Sequence, residues 1–388
     1  MNPGQIVLAQ VLENIPHYQF YKIVEQYGGD QLVRTFTCWE QFICMSFAQL
    51  TYRRSLRDTV ICLNAQKSKL YHMGLKSAIS KSTLSDANNH RDYCIYRDLA
   101  YYLIGVAKKL YTGEDLNLTL DQAVYAFDST TIDLCLSLFP WAKFRKTKSG
   151  IKIHTLFDLQ RLIPSFIEIT SANVHDVNIL DRLELEPGSF LVFDRGYIDF
   201  ERLNKLNQRG IFFITRAKSN MRTQRVYSHK TDQAAGIFLD QTVKLTVYRS
   251  SLDYPHQLRK IRFYDKENDR FFVFISNNFD LSALIISHLY KQRWQVELFF
   301  KWIKQHLRIK SFFGQSENAV KTHIWIAIST YALVVILKKR LNLTCSLYQI
   351  LQVLSVNPFE KTPILQLFTE NDYNLKQSSD SNQLFLFK

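Results

Sequence analysis

Apolar and polar positions change period along this chain, and the changes mark its parts. Up to about residue 118 the apolar side chains recur at helical spacing. Thr37 and Glu40 have the spacing of a capping box, ahead of Phe42, Ile43, Met45, Phe47 and Leu50. That predicts a helix, with Arg53, Arg54 and Arg57 at its end or in the next turn. Ser80-Lys81-Ser82-Thr83-Leu84 opens a second polar-to-helical segment running towards Tyr101, Leu103 and Ile104. Short helices that start on Ser, Thr, Asn and Arg suit a DNA-binding helical module, and a plain helical cap on a larger domain equally well.

From Gln122 the period shortens to that of strands. Residues 123–127 form one; residues 151–159 and 162–170 form a pair joined by a tight turn at Gln160-Arg161. Phe190–Phe193 is a short, wholly apolar strand followed by Asp194-Arg195-Gly196-Tyr197. A helix over Phe200–Gln208 and a strand over residues 211–215 come next. Three strands, then strand–helix–strand, predict a mixed sheet of α/β type. Residues 243–248, 259–264 and 271–275 add β-rich segments with polar turns between them, and helical character runs from Leu281 to about Lys339.

The expected organisation is therefore a helical N-terminal part (1–118), an α/β core in two parts (119–218 and 280–345), a β-rich insertion between them (219–279) and a short helical C-terminal region (346–388). Its polar stretch over residues 377–383 is expected to be mobile. No internal repeat interrupts this order.

Composition narrows the class. The 388 residues suit two or three domains, and 46% hydrophobic with 14% aromatic residues suit large cores. A formal net charge of +14 points to a polyanionic partner, of which nucleic acid is the commonest, although a basic but ordinary enzyme has the same balance. The six cysteines are scattered without CxxC or zinc-finger spacing, so buried free thiols in a reducing compartment are expected. Met1-Asn2-Pro3-Gly4 lacks the charged start and apolar run of a signal peptide. The apolar stretch 324–337 would reach only about 21 Å as a helix, short of the roughly 30 Å hydrocarbon layer, so a buried core helix is predicted.

Candidate chemistry begins with two strands that end alike, Ala126-Phe127-Asp128 and Val192-Phe193-Asp194. An apolar strand that stops at a carboxylate puts it on the sheet's carboxyl edge, where open α/β sheets bind ligands. If the strands are parallel neighbours, two repelling carboxylates lie side by side and a divalent cation relieves them. Taken singly, each Asp reads as well as a turn or helix cap. Glu297 shifts the balance. It is the lone acid between Leu281 and Ser316, among Lys291, Arg293, Lys301, Lys304, Arg308 and Lys310. On one helix Tyr290, Arg293, Glu297 and Lys304 fall within an arc of about 60°, beside an apolar stripe of Leu289, Val296, Phe300, Ile303 and Leu307.

Tyr290-x2-Arg293-x3-Glu297-x6-Lys304 resembles the Y-(2)-R-(3)-E-(6)-K signature of DDE transposases of the insertion-sequence-four family. Phe-Asp-Ser-Thr around Asp128 and Phe-Asp-Arg-Gly-Tyr around Asp194 resemble that family's first two catalytic aspartates. The likeness covers roughly residues 122–315. It implies an RNase H-like catalytic fold with a β insertion ahead of the helix bearing the glutamate. It implies two Mg²⁺ ions, replaceable by Mn²⁺, held by Asp128, Asp194 and Glu297 for in-line phosphoryl transfer. Water is then the nucleophile for the first nick and a DNA 3′-hydroxyl for joining. Tyr290, Arg293 and Lys304, with Lys301 and Arg195, are expected to hold double-stranded DNA. The family further implies terminal inverted repeats as substrate, target DNA as acceptor, a homodimer, no membrane partner and a place at the nucleoid in bacterial cytoplasm.

In hairpin-forming relatives a tryptophan of the insertion stacks on a flipped base. Residues 219–279 contain no Trp, which leaves Tyr227, Tyr248, Tyr254 and Tyr264 as stacking candidates. His175 and Asp176 follow the third strand and either approach the site or form a turn with Asp176 as helix N-cap. Asp133 is a spare ligand or a solvated loop residue. Two acid-free basic runs, Lys143, Arg145, Lys146, Lys148 and Lys152, and Lys218, Arg222, Arg225 and Lys230, are solvated faces or salt-sensitive phosphate contacts. A catalytically dead DNA-binding relative would lack one of the three carboxylates, and all are present. A simple nuclease of the same fold has less need of the Tyr/Arg/Lys set.

Overall fold

The computed structural model describes residues 4–71, 74–112, 120–307, 309 and 312–369. The boundary expected at residue 118, Arg308, Lys310 and the stretch 377–383 lie outside these. The chain divides into two compact units, Met1–Thr112 with Trp302–Lys388, and Gly113–Lys301.

The first unit is helical: α1 (Val7–Leu12), α2 (His17–Gln26), α3 (Cys38–Leu50), α4 (Leu56–Asn64), α5 (Lys81–His90) and α6 (Cys94–Leu110). The expected capping box is formed. Thr37 Oγ1 accepts from the Glu40 N–H at 3.3 Å, and the Glu40 carboxylate accepts from the Thr37 N–H at 2.7 Å. Serines cap α4 and α5 through Ser55 and Ser80. Every residue of α3 is buried. Its polar Gln41 is therefore bonded on all sides, to Asn88, Arg91 and Tyr96.

The second unit is built on one sheet. Its strands are β1 (Val124–Leu134), β2 (Lys143–Arg145), β3 (Lys148–Asp158), β4 (Ile163–Ser171), β5 (Phe190–Phe193), β6 (Phe212–Arg216), β7 (Thr223–Ser228), β8 (Ile237–Leu245), β9 (Leu258–Asp265) and β10 (Arg270–Ser276). The order is β2-β3-β1-β5-β6-β10-β9-β8-β7, with β4 also on β3. β5 runs parallel to β1 and β6, and the remaining pairs are antiparallel. This is the mixed α/β sheet expected of an RNase H-like domain. The β-rich stretch is the outer half of the same sheet, because β10 pairs directly with β6. The strand expected over 243–248 begins earlier and ends at Leu245, and Tyr248 opens a short helix, α8 (Tyr248–Asp253).

Both faces of the central strands are covered, which is why β5 is a continuous apolar run. On one face Phe127, Phe193, Tyr197, Leu203, Leu206 and Phe213 join a core with α7 (Phe200–Gln208). On the other lie α9 (Ala283–Gln292) and α10 (Trp294–His306), with Phe299 on Phe157 (centroids 5.5 Å) and Tyr290 on Phe274 (4.7 Å). The predicted stripe Leu289, Val296, Phe300, Ile303 and Leu307 is buried throughout. One continuous helix was expected there, and the chain forms two. At Arg293 the ladder tightens to three-residue bonds: Arg293 N–H donates to Tyr290 O and Val296 N–H to Arg293 O. No Gly or Pro marks the break.

The chain re-enters the helical unit within α10 and continues into α11 (Glu317–Arg340) and α12 (Leu347–Val356). α11 has 24 residues, about 36 Å of helix, so the argument from a 14-residue length does not hold. It is long and apolar enough to cross a membrane, yet its apolar window is 94% buried inside the protein, as a core helix requires. All six cysteines are free. Cys38 and Cys44 are buried as expected, whereas Cys135 is exposed.

Candidate active site

The register between β1 and β5 pairs Phe127 with Phe193. Asp128 and Asp194 are the next residues of two parallel neighbours, so both stand at the carboxyl edge of the sheet at one level. Tyr197 helps fix them there. After Asp194 the chain makes a 3₁₀ turn (Arg195–Tyr197) that brings the Tyr197 ring under Phe127 (5.1 Å) and Phe193 (6.2 Å). Burial, then the neighbouring Asp128 charge, push its phenol well above the usual range, so it stays neutral.

Asp128 is half-buried, its side chain 20% exposed against 54% for Glu297. Burial pushes its carboxyl up to about 6, helped by the charges of Glu297 and Asp194. The Ser129 N–H at 2.8 Å and the Arg293 guanidinium oppose that shift. Arg293 donates from Nη1 to Asp128 Oδ2 at 3.0 Å and from Nη2 to Glu297 Oε1 at 2.5 Å. Its Nε is buried without a partner. Arg293 stands at the tightened turn between α9 and α10. Tyr290 is buried on α9 and its hydroxyl donates to Asp194 Oδ1 at 3.3 Å. Its phenol is pushed up to about 12, first by burial.

Asp128, Asp194 and Glu297 are thus joined through two residues of the same signature. Among the described residues no three His, Cys, Asp or Glu groups stand close enough to hold a metal ion as they are. The donor chemistry nonetheless fits a divalent ion: three hard carboxylates, with a guanidinium already supplying positive charge between two of them.

The remaining expectations fall as follows. Lys301 is exposed one turn beyond Glu297, and Lys304 is half-buried on the same helix. Arg195 is exposed beside Asp194. Asp133 is exposed on β1 rather than in a loop. It lies five residues past Asp128, about 17 Å along the strand, too far to share a ligand with it. His175, not Asp176, is the N-cap of its 3₁₀ turn. Asp176 accepts from Ser129 Oγ (2.8 Å) and Lys152 Nζ (3.2 Å), and buried His154 lies 3.6 Å away. This ties the turn to β1 and β3 on the sheet face away from Asp128. Tyr254 is buried and cannot stack on a base, whereas Tyr227 and Tyr248 are exposed.

One residue was missed. Trp294 follows Arg293 directly and is 51% exposed. It lines a cleft of about 760 Å³ with Arg216, Arg270, Phe272, Tyr290 and Arg293. It lies outside the β-rich stretch 219–279, where a stacking tryptophan is expected.

Residues 119–333 match the family described as "Transposase DDE domain", and residues 3–76 match a domain of unknown function. A putative transposase, y4zB, of Sinorhizobium fredii is 33% identical over 64% of this chain and 69% of its own length. A probable transposase for insertion sequence element IS5377 of Geobacillus stearothermophilus is 27% identical over 80% and 79%. A putative transposase for insertion sequence element IS4SA of Synechocystis is 23% identical over 66% and 71%.

Proposed function

This chain belongs to the DDE transposase family, an enzyme family that cleaves and transfers DNA with divalent metal, and we propose that it moves its own insertion sequence by cut and paste. It binds the terminal inverted repeats, cuts at the element ends and joins the 3′-hydroxyl ends to target DNA. The observation that carries this reading is the level pairing of Asp128 and Asp194 on parallel strands, with Glu297 linked to Asp128 through Arg293.

Asp128, Asp194 and Glu297 would hold two Mg²⁺ ions, with Mn²⁺ able to replace them, and the metal would supply activation of the attacking oxygen and stabilisation of the leaving one. Tyr290 orients Asp194 through its hydroxyl. Arg293 would offer its two-pronged guanidinium to a phosphate near the cut. Lys304, Lys301 and Arg195 hold the neighbouring backbone. Trp294, exposed beside Arg293, is the aromatic surface best placed to stack on a displaced base, which supports a hairpin step despite the Trp-free insertion. The helical N-terminal part, residues 1–118, binds DNA, and two copies act together on paired ends in the bacterial nucleoid.

The test is to incubate purified protein and Mg²⁺ with duplexes carrying the ends that flank its gene. End-specific hairpins are expected from the wild type, and open 3′-hydroxyl ends from Trp294→Ala. Open ends from both proteins would remove the hairpin step. End binding without any cleavage in Mg²⁺ or Mn²⁺ would leave a DNA-binding protein instead of an enzyme.

A further inference from the structure

β1 does not stop at the catalytic edge. Its pairing with β5 ends at Phe127, but its pairing with β3 continues through Asp128 to Leu134. Beyond Asp128 the ribbon therefore projects past the edge, with β3 on one flank of β1 and, among the described residues, no strand paired on the other. Six residues of strand carry it about 20 Å from Asp128. There β2 folds back on the start of β3, pairing Lys143 with Ser149 and Arg145 with Lys148.

This tip is basic. Lys143, Arg145, Lys146 and Lys148 are all exposed, and residues 142–149 contain no acid. The Arg145 guanidinium lies over the Phe144 ring at 5.6 Å. Gly150 lets the hairpin close at its base. A Cβ there would meet the Ile132 carbonyl oxygen at 3.1 Å and the Phe144 ring at 3.2 Å. Lys152, the last member of the basic run, is committed to Asp176 and is not part of the tip. Asp133, opposite Gly150, is the acid that limits the patch on the β1 side.

We propose that the hairpin tip at residues 143–148 is a phosphate clamp on the duplex being cut. It grips the backbone about six base pairs from the scissile bond, since about 20 Å divided by the 3.4 Å rise per base pair is about six. This rests on the transposase reading. A duplex lying across the carboxyl edge of β1 and β5 and extending along the ribbon meets the tip about half a helical turn away. The contact is with backbone charge and is blind to sequence.

Fluorescence anisotropy of the full chain in EDTA tests this. The probes are element-end duplexes with two, six or ten base pairs beyond the cut. One variant combines Lys143→Gln, Arg145→Gln, Lys146→Gln and Lys148→Gln; a second combines Lys143→Arg, Lys146→Arg and Lys148→Arg and keeps the charge. Wild type and the arginine variant should gain affinity as the duplex passes six base pairs. The glutamine variant should lack that gain, and its log–log salt slope should be shallower by about 2–4, at roughly 0.9 per phosphate lost. Identical slopes and length dependence in all three proteins would overturn the clamp. So would a loss of affinity in the glutamine variant seen only with a separate target duplex as the anisotropy probe. Failure of the wild type to bind any probe would instead remove the DNA reading on which the clamp rests.

Discussion

Asp128 and Arg293 hold each other in opposed states. Burial favours a protonated Asp128, while the guanidinium at 3.0 Å favours the carboxylate, and burial prevails, leaving the carboxyl at about 6 against an ordinary value near 3.8. A carboxyl with a raised value in the folded state binds its proton more tightly there than in the unfolded chain. Its cost to stability is therefore absent below about pH 4 and fully present above about pH 6. Asp128→Asn should abolish cleavage, yet stabilise the metal-free protein at pH 8 by on the order of 1–3 kcal/mol, with no gain at pH 4. Urea unfolding at the two pH values checks this, and equal effects at both would remove burial as the cause. The aspartates were legible as candidates because each ends an apolar strand. Tyr290 and Arg293 were legible on the arc of Glu297, but their bonds to the aspartates were not: that Arg293 reaches Asp128, and Tyr290 Asp194, depends on chain crossings that no local pattern reports.

Among the elements, legibility followed how strongly the environment imposes a period. β5 is buried on both faces and reads as an unbroken apolar run. α3 begins at a capping box whose two bonds are both formed. Removing it by Thr37→Ala should cost about 1 kcal/mol in urea unfolding, and a change below a few tenths would mean that the burial of α3 alone holds its first turn. β7 was missed because it is exposed on both faces, leaving no alternation to read. The extension of β1 was missed because Ser129, Thr130 and Thr131 are polar and none is buried. The break between α9 and α10 carries no Gly or Pro. Gln292, Arg293 and Trp294 are ordinary helix residues, and the turn tightens where Arg293 reaches the two acids.

Across the whole molecule, the net charge of +14 and the family point the same way, to a protein that works on DNA. The acid set sits where the sheet's carboxyl edge meets α10, and basic residues surround it: Arg195 and Lys301 nearby, Arg216 and Arg270 in the cleft, and the projecting hairpin. This arrangement suits the proposed role, in which the three carboxylates hold metal against a polyanion. The most direct test is to replace a carboxylate oxygen by sulfur and change the metal. Asp194→Cys should be inactive on element-end duplexes in Mg²⁺ and recover part of its cleavage in Mn²⁺, which tolerates a thiolate better, while Asp194→Ala recovers none. Full cleavage by Asp194→Cys or Asp194→Ala in Mg²⁺ would show that Asp194 holds no catalytic metal, and would contradict the site described here.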